Sequence, residues 1–352
     1  MNIMEHAELE RWLREERPEV LEELWRRADA IRREMVGDEV HLRGLIEISN
    51  HCARQCHYCG LRAGNRDLTR YRMSADEILE CARAAARFGY GTVVMQAGED
   101  AALTGAWVAD VVRRIKAEVD LAVTLSLGER SLDELALWKE AGADRYLLRF
   151  ETSNAELFSR IHPPKAGSAT VVDRVAQLQA MRSLGYEIGS GVMIGIPGQS
   201  YADLARDLEL FRELDLDMIG VGPFLTHPAT PLAAISPNAG VDQAPATELM
   251  TYKMVALTRL CCPRANLPST TALATLNLAR GREFGLLRGA NVVMPNLTPP
   301  KYRALYEIYP AKACVRETAE QCHGCLRRRI ESIGRRVGQG RGSALRKTSE
   351  FR

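Results

Sequence analysis

The chain has 352 residues, 46% apolar and 26% charged, and its 47 basic and 45 acidic side chains leave a formal net charge of +2. That balance is ordinary for a globular protein and gives no sign of a nucleic-acid partner. There is no run of ~18 apolar residues, and the Glu- and Arg-rich start, 1–16, lacks the apolar core of a secretory leader, so neither a membrane span nor export is expected and a cytoplasmic location is.

In chain order, leucines and tryptophans at helical spacing over 6–33 predict one or two amphipathic helices. Short β-rich runs follow at 41–48, 92–96, 121–127, 145–150, 188–194, 218–224, 267–272 and 291–294, with amphipathic helical patterns at 75–88, 106–118, 132–141, 171–184, 201–214 and 247–260 between them. Eight strands alternating with helices predict an α/β fold, a complete or nearly complete (β/α)8 TIM-type barrel; a doubly wound open sheet is the alternative. The reading divides the chain into an N-terminal helical extension (1–37), the barrel (38–300), a C-terminal segment (301–334) and a basic tail (335–352). The tail carries Arg335, Arg336, Arg341, Arg346 and Lys347 among glycines and is expected to be solvated and frayed.

Nine cysteines in a long chain of this kind argue against a disulfide framework, and six fall into two tight groups. Cys52, Cys56 and Cys59 form C-x3-C-x2-C just after the first strand, where a barrel's loops open onto its C-terminal, catalytic face. Three thiolates in one loop can ligate three irons of a 4Fe-4S cubane and leave the fourth iron open to a substrate's amino and carboxylate groups. With Tyr58 before the third cysteine, the motif has the form used by radical S-adenosylmethionine (SAM) enzymes. Zinc, with His51 or His57 as fourth ligand, and plain buried thiols are the competing readings. Cys81, Cys261 and Cys262 lie in helical patterns and read as small core residues.

Later strand ends supply candidate SAM contacts. Gln96, Gly98 and Glu99 end the second strand, where backbone carbonyls and a carboxylate suit an ammonium group. Arg149 and Glu151 alternate to one side at the end of the fourth, a carboxylate clamp beside an acceptor for ammonium or ribose hydroxyls; a plain ion pair is the bland alternative. Arg174 is a second candidate for a carboxylate. Near the C-terminus, Cys314, Cys322 and Cys325 form C-x7-C-x2-C, suggesting a second cluster, 2Fe-2S or 4Fe-4S, or a zinc site with His323.

These segments together resemble the HydE family, radical SAM maturases that help build the active-site cluster of FeFe hydrogenases. The likeness spans roughly 38–334 and rests on Tyr71-Arg-Met73 after the cysteines, Thr124 to Glu129, Ala141 to Arg149, Gly220 to Pro223, Lys253 to Arg259 and Asn291 to Asn296. It implies SAM bound near one end of a barrel cavity, with Thr124, Ser126, Met294, Tyr302 and Tyr306, besides Gln96, lining the substrate space. It further implies attack by a 5'-deoxyadenosyl radical on an iron-cysteine carbonyl-cyanide precursor, an electron donor such as a ferredoxin or flavodoxin, and other hydrogenase maturases as partners. Two positions depart from the expected pattern, Ala97 in place of Ser and Phe150 in place of His, and each is expected to make the SAM pocket less polar. A 3-methylornithine synthase-like lysine mutase, a biotin-synthase-like sulfur inserter and a non-catalytic iron-sulfur carrier are the alternatives.

Overall fold

A computed structural model describes residues 3–165, 167–168, 171–235 and 242–345; Arg346 and Lys347 of the basic tail lie outside them. Strands β1 (Glu39–Ser49), β2 (Thr92–Ala97), β3 (Ala122–Ser126), β4 (Arg145–Leu147), β5 (Glu187–Ile194) and β6 (Met218–Pro223) pair in sequence order, all parallel, and β7 (Val292–Val293) pairs the other edge of β1. The expected strand at 267–272 does not form a ladder. Pro268 has no amide hydrogen to give, and a helix begins at Thr271. The segment still closes the ring through bridges of Asn266 to Met218 and Pro268 to Val292. Ile219 N donates to Asn266 O at 3.0 Å, and Asn291 N donates to Leu267 O at 2.9 Å.

Register and alternation divide the strand residues between two faces. Ile46, Met95, Leu125 and Tyr146 stand side by side toward the helices. Glu47, Gln96 and Ser126 form a row on the inner face, and Val94, Thr124 and Arg145 another. On β5 and β6 the inner positions hold glycine: a Cβ on Gly191 would lie 1.9 Å from Gly220 O, whereas one on Gly220 would meet nothing closer than Arg149 Nη1 at 3.9 Å. Small residues on that wall leave an open space inside the upper barrel.

Helices Ala75–Arg87, Gly105–Glu118, Leu132–Glu140, Arg174–Ser183, Tyr201–Glu213 and Glu248–Cys261 flank the strands. Several begin with reciprocal capping boxes, Ser74 with Glu77 and Ser131 with Glu134 among them. The N-terminal helices His6–Arg14 and Pro18–Val36 share the barrel's apolar core through Leu9, Leu13, Leu21 and Leu24, and Lys253 Nζ donates to Leu13 O at 2.8 Å. No helix among the described residues is long and apolar enough to cross a membrane.

The end of the chain departs from the expected frayed tail. Residues 335–345 run across the N-terminal mouth of the barrel, and strand β8 (Arg336–Val337) pairs the start of β1. Arg335 donates to four carbonyls, those of Asp38, Glu39, Leu286 and Ala290. Arg341 O accepts from Thr92 Oγ1 and Arg145 Nη2, and Gly342 O from Arg43 and Asn266. Arg335, read as solvated, thus bonds backbone carbonyls, as a buried donor must, while Arg336 and Arg341 stay exposed.

Candidate active site

The loop after β1 has no regular structure, so its backbone groups find partners elsewhere. Asn50 donates to Thr69 O and Leu305 O, both at 2.8 Å, and Arg70 donates to the carbonyls of Asn50, Leu61, Arg62 and Asn65. Neighbouring segments brace it through Ala53 N to Glu99 O, His57 N to Ile161 O and Gly60 N to Ile308 O. Gly98 lies so close that a Cβ there would be 2.3 Å from His51 O and 2.7 Å from Cys52 Cβ.

This scaffold points Cys52, Cys56 and Cys59 at one cavity of about 280 Å³ at the C-terminal ends of the strands. Tyr58, Gln96, Gly98, Glu99, Ser126, Arg149, Glu151, Arg174 and Tyr306 line the same space. The remaining expected residues lie elsewhere. Thr124 is buried one row below, its hydroxyl without a partner among the described residues. Tyr302 stacks on Tyr71 at 4.6 Å and donates to Glu77, so it faces away, and Met294 follows β7 and is not in the lining. Ala97 lines the cavity, but Phe150 packs on Phe211 in the core, so a histidine is not missing from the pocket wall at that position.

Glu151 is buried with φ +64°, a left-handed conformation that costs a non-glycine residue about 1–3 kcal/mol. Two backbone bonds hold it there, Glu151 N to Gly191 O and Met193 N to Glu151 O. Its carboxylate accepts from Arg149 Nε at 3.1 Å, and Arg149 Nη2 donates to Val192 O at 2.6 Å. Arg149 Nη1 faces the open space above Gly220. Glu99 ion-pairs Lys165 at 2.9 Å and packs against Gly128, which has φ +79° and no room for a Cβ.

Arg174 was expected to serve a ligand carboxylate, yet in the structure it meets Glu129, at 3.0 Å. Glu129 also faces Arg54 at 3.2 Å, His162 Nε2 at 3.1 Å and Lys165 at 3.6 Å. Burial opposes its charge, but His162, Arg174 and Arg54 outweigh burial and hold its carboxyl down at about 2. His162, a residue in no motif, is buried with Nδ1 3.0 Å from Cys56 Sγ. No periodicity or spacing could have found it; its neighbours are brought to it by the fold.

Burial pushes up the thiols of all three cysteines, Cys56 to about 12. In the metal-free protein they are therefore neutral, and loading a metal releases their protons. Among the described residues no three His, Cys, Asp or Glu side chains converge to hold a single metal ion. A closed zinc site needs such convergence, whereas a cubane spreads its thiolates over separate irons. The all-sulfur donor set, opening on a cavity with further ionic side chains, fits a 4Fe-4S cluster.

The second group differs. Cys322 is buried and Cys325 exposed on helix Ala319–Ser332, and Cys314 sits in a loop with φ +63°. A hydrogen bond from Cys322 lowers the Cys314 thiol, with Arg282 4.0 Å away, and raises that of Cys322. His323 instead stacks on Phe88 and contacts Tyr90 OH.

The signature of the Radical SAM superfamily matches residues 46–211. The chain is 47% identical over 325 residues to the [FeFe] hydrogenase maturase subunit HydE of Thermotoga maritima, covering 92% of this chain and 89% of that relative. It is 27% identical over 280 residues to the 3-methylornithine synthase of Methanosarcina acetivorans, covering 79% and 75%. The crystal structure of methylornithine synthase (PylB) superposes with a TM-score of 0.81 at 24% identity, over 96% of this chain and 95% of that one, a likeness of fold. Membership of the superfamily implies a 4Fe-4S cluster and SAM. The chain belongs to the HydE family of radical SAM enzymes.

Proposed function

We propose that this radical SAM enzyme acts in assembly of the FeFe-hydrogenase active-site cluster, on an iron-cysteine carbonyl-cyanide precursor. The observation that carries the reading is the 47% identity to the Thermotoga maritima maturase over 92% of this chain.

Cys52, Cys56 and Cys59 would hold three irons, leaving the fourth for the amino and carboxylate groups of SAM. When bound, the pair supplies one-electron reductive cleavage of the sulfonium to methionine and a 5'-deoxyadenosyl radical. The protein's part is to bind and orient. Glu151, fixed by its strained backbone and Arg149, offers a carboxylate to the ammonium or ribose hydroxyls. Arg149 Nη1, which faces the open space above Gly220, can meet a carboxylate. Gly98 lets Glu99 and neighbouring carbonyls approach the cysteine loop. Arg174, held by Glu129, His162 and Arg149 O, braces the wall. Gln96 and Ser126 give a neutral polar floor for the precursor, and Tyr306, Ile308 and Tyr309 close the side of the cavity against water.

Cys314, Cys322 and Cys325 would hold a second cluster, 2Fe-2S or 4Fe-4S, apart from this cavity. The reading includes a cytoplasmic location, a ferredoxin- or flavodoxin-type electron donor and the other hydrogenase maturases as partners. The test is 5'-deoxyadenosine release by anaerobically reconstituted, reduced protein, with a synthetic iron-cysteine carbonyl-cyanide complex or with lysine. Stimulation by the iron complex is expected. Stimulation by lysine alone would move the assignment to a lysine mutase, and no release from fully loaded protein would sink it.

A further inference from the structure

His162 follows helix Ala155–Ile161, whose Ile161 carbonyl accepts from His57 N of the cysteine loop at 2.8 Å. The ring is 1% exposed and stacks on Phe158 at 5.0 Å. Its two nitrogens face different chemistry. Nδ1 lies 3.0 Å from Cys56 Sγ, and Nε2 lies 2.8 Å from Arg174 Nη2 and 3.1 Å from Glu129 Oε1. A guanidinium can only donate. Nε2 thus meets both a donor-only guanidinium and the acceptor-only Glu129 carboxylate and does not set the tautomer, whereas an iron-bound Cys56 thiolate carries no proton and can only accept. The 3.0 Å contact to that sulfur therefore places an N–H on Nδ1.

We propose that His162 is a positioning residue that donates an N–H···S hydrogen bond to the Cys56 ligand of the iron-sulfur cluster and raises the cluster's reduction potential, with Glu129 and Arg174 holding the ring in place. The proposal rests on the reading of Cys52, Cys56 and Cys59 as cluster ligands. Reduction adds one electron from an external one-electron reductant, and the extra negative charge spreads onto the sulfurs. A fixed N–H dipole favours that state over the oxidised one, and hydrogen bonds to ligand sulfurs are an established lever on such potentials. Burial strengthens the effect because no water competes for the sulfur. No proton moves and no bond of His162 breaks.

The experiment is an EPR-monitored redox titration of reconstituted wild type, His162→Leu and His162→Asn, with iron and sulfide content measured on each sample. Asparagine places an amide N–H near the position of Nδ1; leucine does not. The expected result is a fall in the reduced-to-oxidised ratio of about tenfold at fixed potential in the leucine variant, a shift of ~59 mV for one electron, and recovery in the asparagine variant. An unchanged potential in a fully loaded leucine variant overturns the proposal, as would equal shifts in both variants, which mark a merely structural role. Should leucine prevent loading, wild type carrying ¹⁵N-histidine decides by pulsed EPR. A histidine coupling that vanishes in His162→Asn supports the bond, whereas no coupling, or one that persists and so belongs to another histidine, removes it. Wild type that binds no cluster at all would sink the underlying cysteine reading instead.

Discussion

The two groups of three cysteines share spacing chemistry and differ in nearly everything around them. Cys52, Cys56 and Cys59 lie on a loop whose carbonyls are pinned by Arg70 and whose neighbours include Glu129, Arg174, Glu151 and His162, and all three face one cavity. Cys322 and Cys325 ride one turn apart on a helix, one buried and one exposed, with Cys314 from a loop beside Arg282. A motif shows which atoms are available for ligation. Whether they open on a reaction space depends on the walls, and the first group has them.

The largest expected effect tests that contrast directly. Cys56→Ala should reduce 5'-deoxyadenosine release to background, whereas Cys322→Ala should leave it within about twofold, since single losses at unconnected sites add independently. Comparable losses in both would mean that the second group takes part in turnover. Next comes the charge network. Glu129→Ala leaves Arg54 and Arg174 buried beside each other without their carboxylate, so denaturant unfolding should show a loss of about 3–5 kcal/mol. Glu283→Ala, which removes the partner of the half-buried Arg329 on the second group's helix, should cost about 1 kcal/mol or less.

A pH effect distinguishes the first region further. Asp207, fully buried, accepts from Ser153 N, two residues past the strained Glu151, at 2.5 Å. Burial pushes its carboxyl up to about 7 against that hydrogen bond. A folded-state value above the unfolded one means a contribution fully present below about pH 4 and lost as pH rises through 7. Wild type should therefore lose about 2 kcal/mol between pH 5 and pH 7 from this group at 1.36 kcal/mol per unit, and Asp207→Asn should flatten that part of the profile; an unchanged profile would mean the carboxyl is already ionised.

The smallest pair of effects has opposite signs. Gly128→Ala should destabilise by about 1–2 kcal/mol, because φ is +79° and the new methyl would lie 2.1 Å from Glu99 Cγ. Gly324→Ala, in the second group's helix, meets only Arg328 Nη1 at 3.7 Å and should stabilise by about 0.5–1 kcal/mol. Matching thermal shifts would erase the distinction between a packed site and a solvated helix face.

Much of the barrel could be read from the chain because its signals are local. Seven of the eight expected strands, including 92–96 and 188–194, form within a few residues of the predicted positions, since apolar alternation survives whatever packs on it. The strand at 267–272 shrank to bridges because Pro268 removes a donor and the Thr270 cap starts a helix. The basic tail misled for another reason: arginine among glycine looks solvated, but Arg335 here bonds backbone carbonyls that the barrel brings to it.

By itself the sequence determined the alternation of strands and helices, the three cysteines of one loop, and the family those segments resemble, because each is written in residues near one another along the chain. The tertiary structure alone decided that His162 reaches Cys56 across 106 positions, that Glu129 reaches Arg54 across 75, that Tyr302 turns away while Tyr306 faces the cavity, and that 335–345 seals the far mouth. Those contacts depend on barrel closure and on hydrogen-bond pairing between distant segments, which leave no mark in local periodicity.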